Sequence, residues 1–112
     1  AERDFFQTQL GDWDYHASVL SRLKTRFKAL DEILDVFVTE LKGQDVWNNV
    51  VVQVRSEFGR TLESNGGGSD HGWGGNSLIL SGALNGGRIL NRFPASYAPG
   101  NSRDWGRGRL IP

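Results

Sequence analysis

The sequence predicts an α/β fold with a mainly parallel sheet and one long crossover helix. Three observations carry this reading: a short aromatic and β-branched stretch at residues 4–10, an amphipathic stretch at 17–42, and a near-continuous apolar run at 50–54. Strand, helix, strand in that order is a βαβ unit, with a right-handed crossover and parallel strands.

Each element has its own justification. Residues 4–10 contain Phe5, Phe6 and Thr8 and stop at Gly11, as a strand does. In residues 17–42 the apolar positions Val19, Leu20, Leu23, Phe27, Leu30, Ile33, Leu34, Phe37, Val38 and Leu41 recur at steps of three and four, the spacing of a buried helix face. That helix is about 26 residues and ~39 Å long, and Gly43 supplies a C-terminal stop. Its stripe covers fewer than four heptads, so it reads as core and not as a coiled coil. Val50-Val51-Val52-Gln53-Val54 is the kind of run that is buried on both faces of a parallel sheet. Residues 77–84 predict a third strand, which Asn85-Gly86-Gly87 turns into Arg88-Ile89-Leu90. Beyond Phe93-Pro94 the chain reads as an extended Gly/Arg/Pro tail over 94–112, so residues 1–112 form one partial α/β domain.

Composition bounds the function. With 112 residues, 38% of them hydrophobic, and 13 basic against 13 acidic side chains, this is a small globular domain with a modest core. Zero net charge argues against bulk binding to nucleic acid or anionic membrane. Charge is nevertheless uneven: all seven bases after residue 50 are Arg, whose planar fork suits phosphate, sulfate or carboxylate. The absence of Cys removes disulfides, thiolate metal sites and Cys nucleophiles, and it leaves the compartment open. No apolar run approaches the ~20 residues a membrane span needs. A chain that starts at Ala1 and contains no Met reads as a processed product or a piece of something longer.

The chemistry concentrates in Asn65-Gly66-Gly67-Gly68-Ser69-Asp70-His71-Gly72-Trp73-Gly74-Gly75, where a carboxylate and an imidazole sit side by side among glycines. If the two strands are parallel, the loops at their C-terminal ends share one edge, the usual ligand-binding edge of an open α/β sheet. One loop holds Asp12-Trp13-Asp14-Tyr15-His16 and the other holds Glu57, Arg60, Asp70 and His71. In extended chain Asp14 and His16, at i and i+2, point to the same side. Two Asp and His pairs brought together, Asp14 with His16 and Asp70 with His71, form a ligand set for a divalent metal such as Zn, Mn or Fe. Simpler roles stand beside these. Asp70 fits a turn cap, Asp14 a cap of the long helix, Arg60 either an anion clamp or a partner of Glu57, and Trp13 and Trp73 packing walls.

Gly11-Asp12-Trp13-Asp14-Tyr15-His16, Ser56-Glu57-Phe58-Gly59-Arg60-Thr61, Ser69-Asp70-His71-Gly72-Trp73-Gly74-Gly75, Gly82-Ala83-Leu84-Asn85-Gly86-Gly87-Arg88 and Gly106-Arg107-Gly108-Arg109-Leu110-Ile111-Pro112 run in this order along the chain. Together they resemble the C-terminal part of the domain-of-unknown-function 1501 (DUF1501) family, a relative of the alkaline phosphatase and sulfatase superfamily. The resemblance implies a partial alkaline phosphatase-like sandwich and a metal-dependent phosphate or sulfate ester hydrolase. In it Asp14 and His16 resemble the Asp and His ligand pair before a helix, and Asp70 and His71 the pair after the following strand. Arg60 then becomes the substrate-binding residue.

This chain departs from the family at Asp12, Tyr15, Ser69 and Ser77, where relatives often carry Gly, Thr, Thr and His. If that His is a ligand in relatives, its loss at Ser77 weakens metal binding. The superfamily's nucleophile comes from an N-terminal part that this sequence lacks, so no residue here is assigned as catalytic and the chain alone is inactive. A non-catalytic structural or assembly subunit of a larger complex is the alternative. In either case the partners are other protein chains or the missing half of the domain. Residues 103–109 mimic an RNA-binding segment, but they also match the family pattern, so no nucleic acid is implied. One helix cannot cover both faces of a sheet, so Phe5, Phe6, Trp47 and residues 93–105 are expected to contact other protein.

Overall fold

Leu23, Leu30, Leu34, Val38 and Leu41 recur at helical spacing and turn inward, and they organise helix α1, Val19–Gly43. These and the other features below come from a computed structural model, which describes residues 2–93, 95–98 and 100–109. The helix stops one step later than Gly43 suggests. Asp45 takes the left-handed conformation at φ 56°, and the amides of Asp45 and Val46 donate to the carbonyls of Lys42 and Leu41 in a Schellman arrangement. A single 3₁₀ turn, Trp47–Asn49, follows.

The remaining chain forms two small antiparallel sheets. Strand β1, Val52–Val54, pairs with β4, Leu78–Leu80, so that Val52 faces Leu80. Between them, β2, Gly59–Ser64, and β3, Ser69–Gly72, make a hairpin in which Arg60 lies opposite His71. The β1 and β4 pair thus closes the base of a loop whose far end carries the hairpin.

This architecture overturns the parallel α/β sandwich. Residues 4–10 form no strand, and Phe5 and Phe6 are 88% and 89% exposed. In a strand these adjacent rings would point to opposite faces, so the segment has no single apolar face to lay on a sheet. Without that strand the helix is not a crossover. The 50–54 run instead finds its partner downstream in Leu78–Leu80, antiparallel. The predicted strand over 77–84 ends at Leu80 because residues 81–84 turn, with the Leu84 amide bonded to the Ser81 carbonyl. The 88–90 return strand is also absent, and Ile89 and Leu90 are exposed. Parts of the predicted tail, Pro94, Pro99 and residues 110–112, lie outside the described residues.

Burial is sparse. Among the described residues only Tyr15 and Leu41 are buried apolar side chains. The radius of gyration is 17.0 Å, whereas a compact chain near 100 residues has about 13 Å. Among the described residues no helix is long and apolar enough to cross a membrane.

Candidate metal centre

The segment before α1 is fixed by alternating side chains. Trp13 packs edge-on against Phe27, with ring centroids 5.2 Å apart. Tyr15 is buried on the helix, where its hydroxyl accepts a hydrogen bond from Arg26 Nε at 3.0 Å and Arg22 lies over its ring. Arg26 also pairs with Asp12. With the odd positions bound to the helix, Asp14 and His16 are presented together on the other side, as the i, i+2 spacing predicts. Helix capping is not the role of Asp14: the N-cap is Ser18, and no acidic residue lies in the first turn.

Opposite stands the hairpin. Its turn is built by Asn65, whose side-chain oxygen accepts from the amides of Gly67 and Gly68 at 3.1 and 2.8 Å. The Gly67 carbonyl accepts from the Ser18 amide at 2.9 Å, which ties the turn to the start of α1. Gly68 has to be glycine for this approach, since a Cβ there would meet Val19 Cγ2 at 2.5 Å and the His16 carbonyl at 2.8 Å. Thr61, buried in β2, accepts from the Asp70 amide at 3.1 Å and donates to the Glu63 carbonyl, so Asp70 is held from behind. His71 stacks on Phe58 at a centroid distance of 3.9 Å.

These two walls meet at Asp14. Its Oδ1 lies 2.8 Å from His71 Nε2, 3.1 Å from His16 Nε2 and 2.7 Å from Arg60 Nη2. Asp14, His16 and His71 each offer a ligand atom, and the three atoms lie within 4.8 Å of one another at the surface. Two imidazoles and a carboxylate form a donor set that suits Zn, Mn or Fe. Asp70 stands one step back, with Oδ1 3.3 Å from the other ring nitrogen of His16. A carboxylate behind a ligand histidine fixes its ring and tautomer. Arg60 turns to Asp14 and to the carbonyls of Ser69 and Trp13, not to Glu57.

The electrostatics follow from these contacts. Hydrogen bonding to His71, with the charges and donors around it, lowers the Asp14 carboxyl below its ordinary value. Asp70 falls further, to about 2, through hydrogen bonds from Asn65, His16 and Arg107 in that order. Both carboxylates are therefore ionised throughout the neutral range.

All five residues singled out from the sequence, Asp14, His16, Arg60, Asp70 and His71, come together here. The parallel-strand argument for their convergence does not hold; a hairpin folded onto the helix start brings them together instead. Asn65, Phe58 and Arg107 were not foreseen. The signal for the hairpin is the turn-forming Asn65-Gly66 pair, obscured by the glycines that follow. Trp73, expected as a packing wall, is 67% exposed.

The family described as protein of unknown function (DUF1501) matches residues 1–98. No curated protein and no solved structure matches the chain. The chain belongs to the DUF1501 family.

Proposed function

We propose that this DUF1501 chain carries the metal-binding, C-terminal portion of a hydrolase domain related to alkaline phosphatases and sulfatases, acting on phosphate or sulfate esters. The observation behind this reading is the cluster of Asp14, His16 and His71, whose ligand atoms lie within 4.8 Å of one another. A dication held there would polarise an ester oxygen and activate a nucleophile. The chain's own residues have separable tasks. Asp14, His16 and His71 are the ligands, Asp70 orients His16 from its far nitrogen, and Arg60 faces the anionic part of the substrate. The nucleophile comes from the N-terminal part of the domain, so the 112-residue chain alone gives no turnover.

Isothermal titration with zinc tests the metal centre. Stoichiometric binding is expected, and His71→Ala or Asp14→Asn is expected to weaken it at least ~10-fold, the usual consequence of losing a first or outer ligand. Equal zinc affinity in wild type and both variants would contradict the assignment. A structural or assembly role in a larger complex is the second reading. It draws support from the exposure of Phe5, Phe6, Leu20 and Trp105.

A further inference from the structure

The segment 106–109 is a built part of the site wall. Three successive residues, Gly106, Arg107 and Gly108, have φ of 92°, 59° and 68°. For Arg107 this is a left-handed conformation that residues with a side chain rarely adopt. Several contacts hold it. The Asp104 carboxylate accepts from the amides of Gly100, Gly106 and Gly108. The amides of Leu62 and Glu63 in β2 donate to the carbonyls of Gly108 and Arg107 at 3.2 and 3.4 Å. Gly108 lies so close to β2 that a Cβ would meet Leu62 Cβ at 2.7 Å. The strained backbone thus delivers the Arg107 side chain, whose Nη2 reaches Asp70 Oδ2 at 2.5 Å.

Arg60 reaches the other carboxylate, Asp14, from the regular strand β2. Its Nη1 donates to the Ser69 carbonyl at 2.9 Å and its guanidinium lies over Phe58, so the group is held in place apart from its contact with Asp14. That contact is overcrowded: three nitrogens share Asp14 Oδ1, and a carboxylate oxygen offers about two lone-pair positions. If Asp14, His16 and His71 held a dication, Asp14 Oδ1 would serve as its ligand and would no longer be free for Arg60, while His16, bonded through its other nitrogen to Asp70, would compete with Arg107 for that carboxylate.

We propose that Arg107 and Arg60 form a two-guanidinium clamp for a tetrahedral oxyanion, resting on Asp70 and Asp14 until a dication occupies the Asp14, His16 and His71 cluster. This rests on the metal-centre reading above and adds an anion-specificity residue, Arg107, together with an order of binding. Metal precedes anion, because in the metal-free site both forks are engaged by carboxylates.

The test titrates inorganic phosphate, and separately sulfate, into the full chain with zinc saturating and with zinc chelated. Zinc is expected to tighten binding of one of the two anions by at least ~10-fold, and the tighter anion identifies the ester class. Arg107→Gln is expected to weaken anion binding in the zinc form by ~10-fold, the loss of one charge-assisted hydrogen bond, while zinc affinity stays equal or rises. Arg107→Lys, which keeps the charge and loses the fork, falls between, and far-UV circular dichroism checks that both variants keep their secondary structure. Zinc binding with anion affinity unchanged by zinc, or by Arg107→Gln, overturns the clamp and leaves the metal centre standing. A variant that loosens zinc and anion together shows Arg107 to be structural and also overturns the clamp. Failure of zinc to bind at all overturns both readings.

Discussion

Asp70 concentrates the electrostatics of the site in one carboxyl group. Its ordinary value is about 3.9, and the Asn65 amide, His16 and Arg107 hold it near about 2. Because the folded value is the lower one, the contribution to stability is complete above about 4 and is lost as pH falls through about 2. A carboxyl carbon titration by NMR should place the Asp70 midpoint near about 2. Asn65→Ala should raise it by removing the largest contributor, and an unchanged midpoint would disprove that attribution. Asp14 is lowered chiefly by His71, so His71→Ala should raise its midpoint in the same experiment. At this scale the sequence was informative for the groups that advertise chemistry: Asp14, His16, Asp70, His71 and Arg60. It was silent for Asn65 and Phe58, whose amide and ring read as ordinary turn and packing residues. Arg107 was hidden because it sits 37 positions beyond Asp70, in a segment whose glycines look like those of a free tail.

Among the elements, the contact between the hairpin turn and the start of α1 sets the geometry of the site. Gly68→Ala would drive a methyl group into Val19 and the His16 carbonyl, which costs roughly 1–3 kcal/mol as overpacking. Gly66→Ala has open space but a φ of 97°, so its cost of about 1–2 kcal/mol is conformational. Gly11→Ala meets nothing and should change stability by less than about 0.5 kcal/mol. Thermal melts of the three variants check the order, and Gly68→Ala alone should also lower zinc affinity, since it displaces His16. Thr61→Val should cost about 1–2 kcal/mol, because the Asp70 amide loses its acceptor. Of the elements, α1 was legible from its 3.6 periodicity almost to the residue. The strands were legible as apolar runs and not as partners. Val52–Val54 pairs with Leu78–Leu80 because both are short apolar strands at the base of one loop, a relation that neither run reveals alone. Aromatic content at residues 4–10 predicts a strand, whereas Phe5 and Phe6 lie open to water with no sheet beside them.

At the scale of the molecule, two buried apolar side chains among the described residues and a radius of gyration of 17.0 Å describe a chain with little core of its own. Leu20, Ile33, Val36 and Phe37 on α1 and Phe5, Phe6 and Trp105 elsewhere remain open to water. The isolated chain should therefore bind a hydrophobic dye and scatter X-rays with a radius of gyration near 17.0 Å; a radius near ~13 Å without dye binding would contradict this. A ligand that binds only the folded state stabilises it, by about 2.7 kcal/mol at a hundredfold excess over its dissociation constant. Zinc should accordingly raise the melting temperature of the wild-type chain, and raise that of His71→Ala markedly less at the same zinc concentration. In the proposed metal centre Asp14 and His16 share one ion with His71, more than fifty positions away along the chain. Zinc K-edge X-ray absorption on the zinc-loaded chain tests it most directly. Two imidazole nitrogens and a carboxylate oxygen at about 2.0–2.2 Å are predicted, with the imidazole scattering lost in a His16→Ala, His71→Ala double variant. A shell of oxygens alone, or imidazole scattering that survives in the double variant, would contradict a metal centre shared by Asp14, His16 and His71.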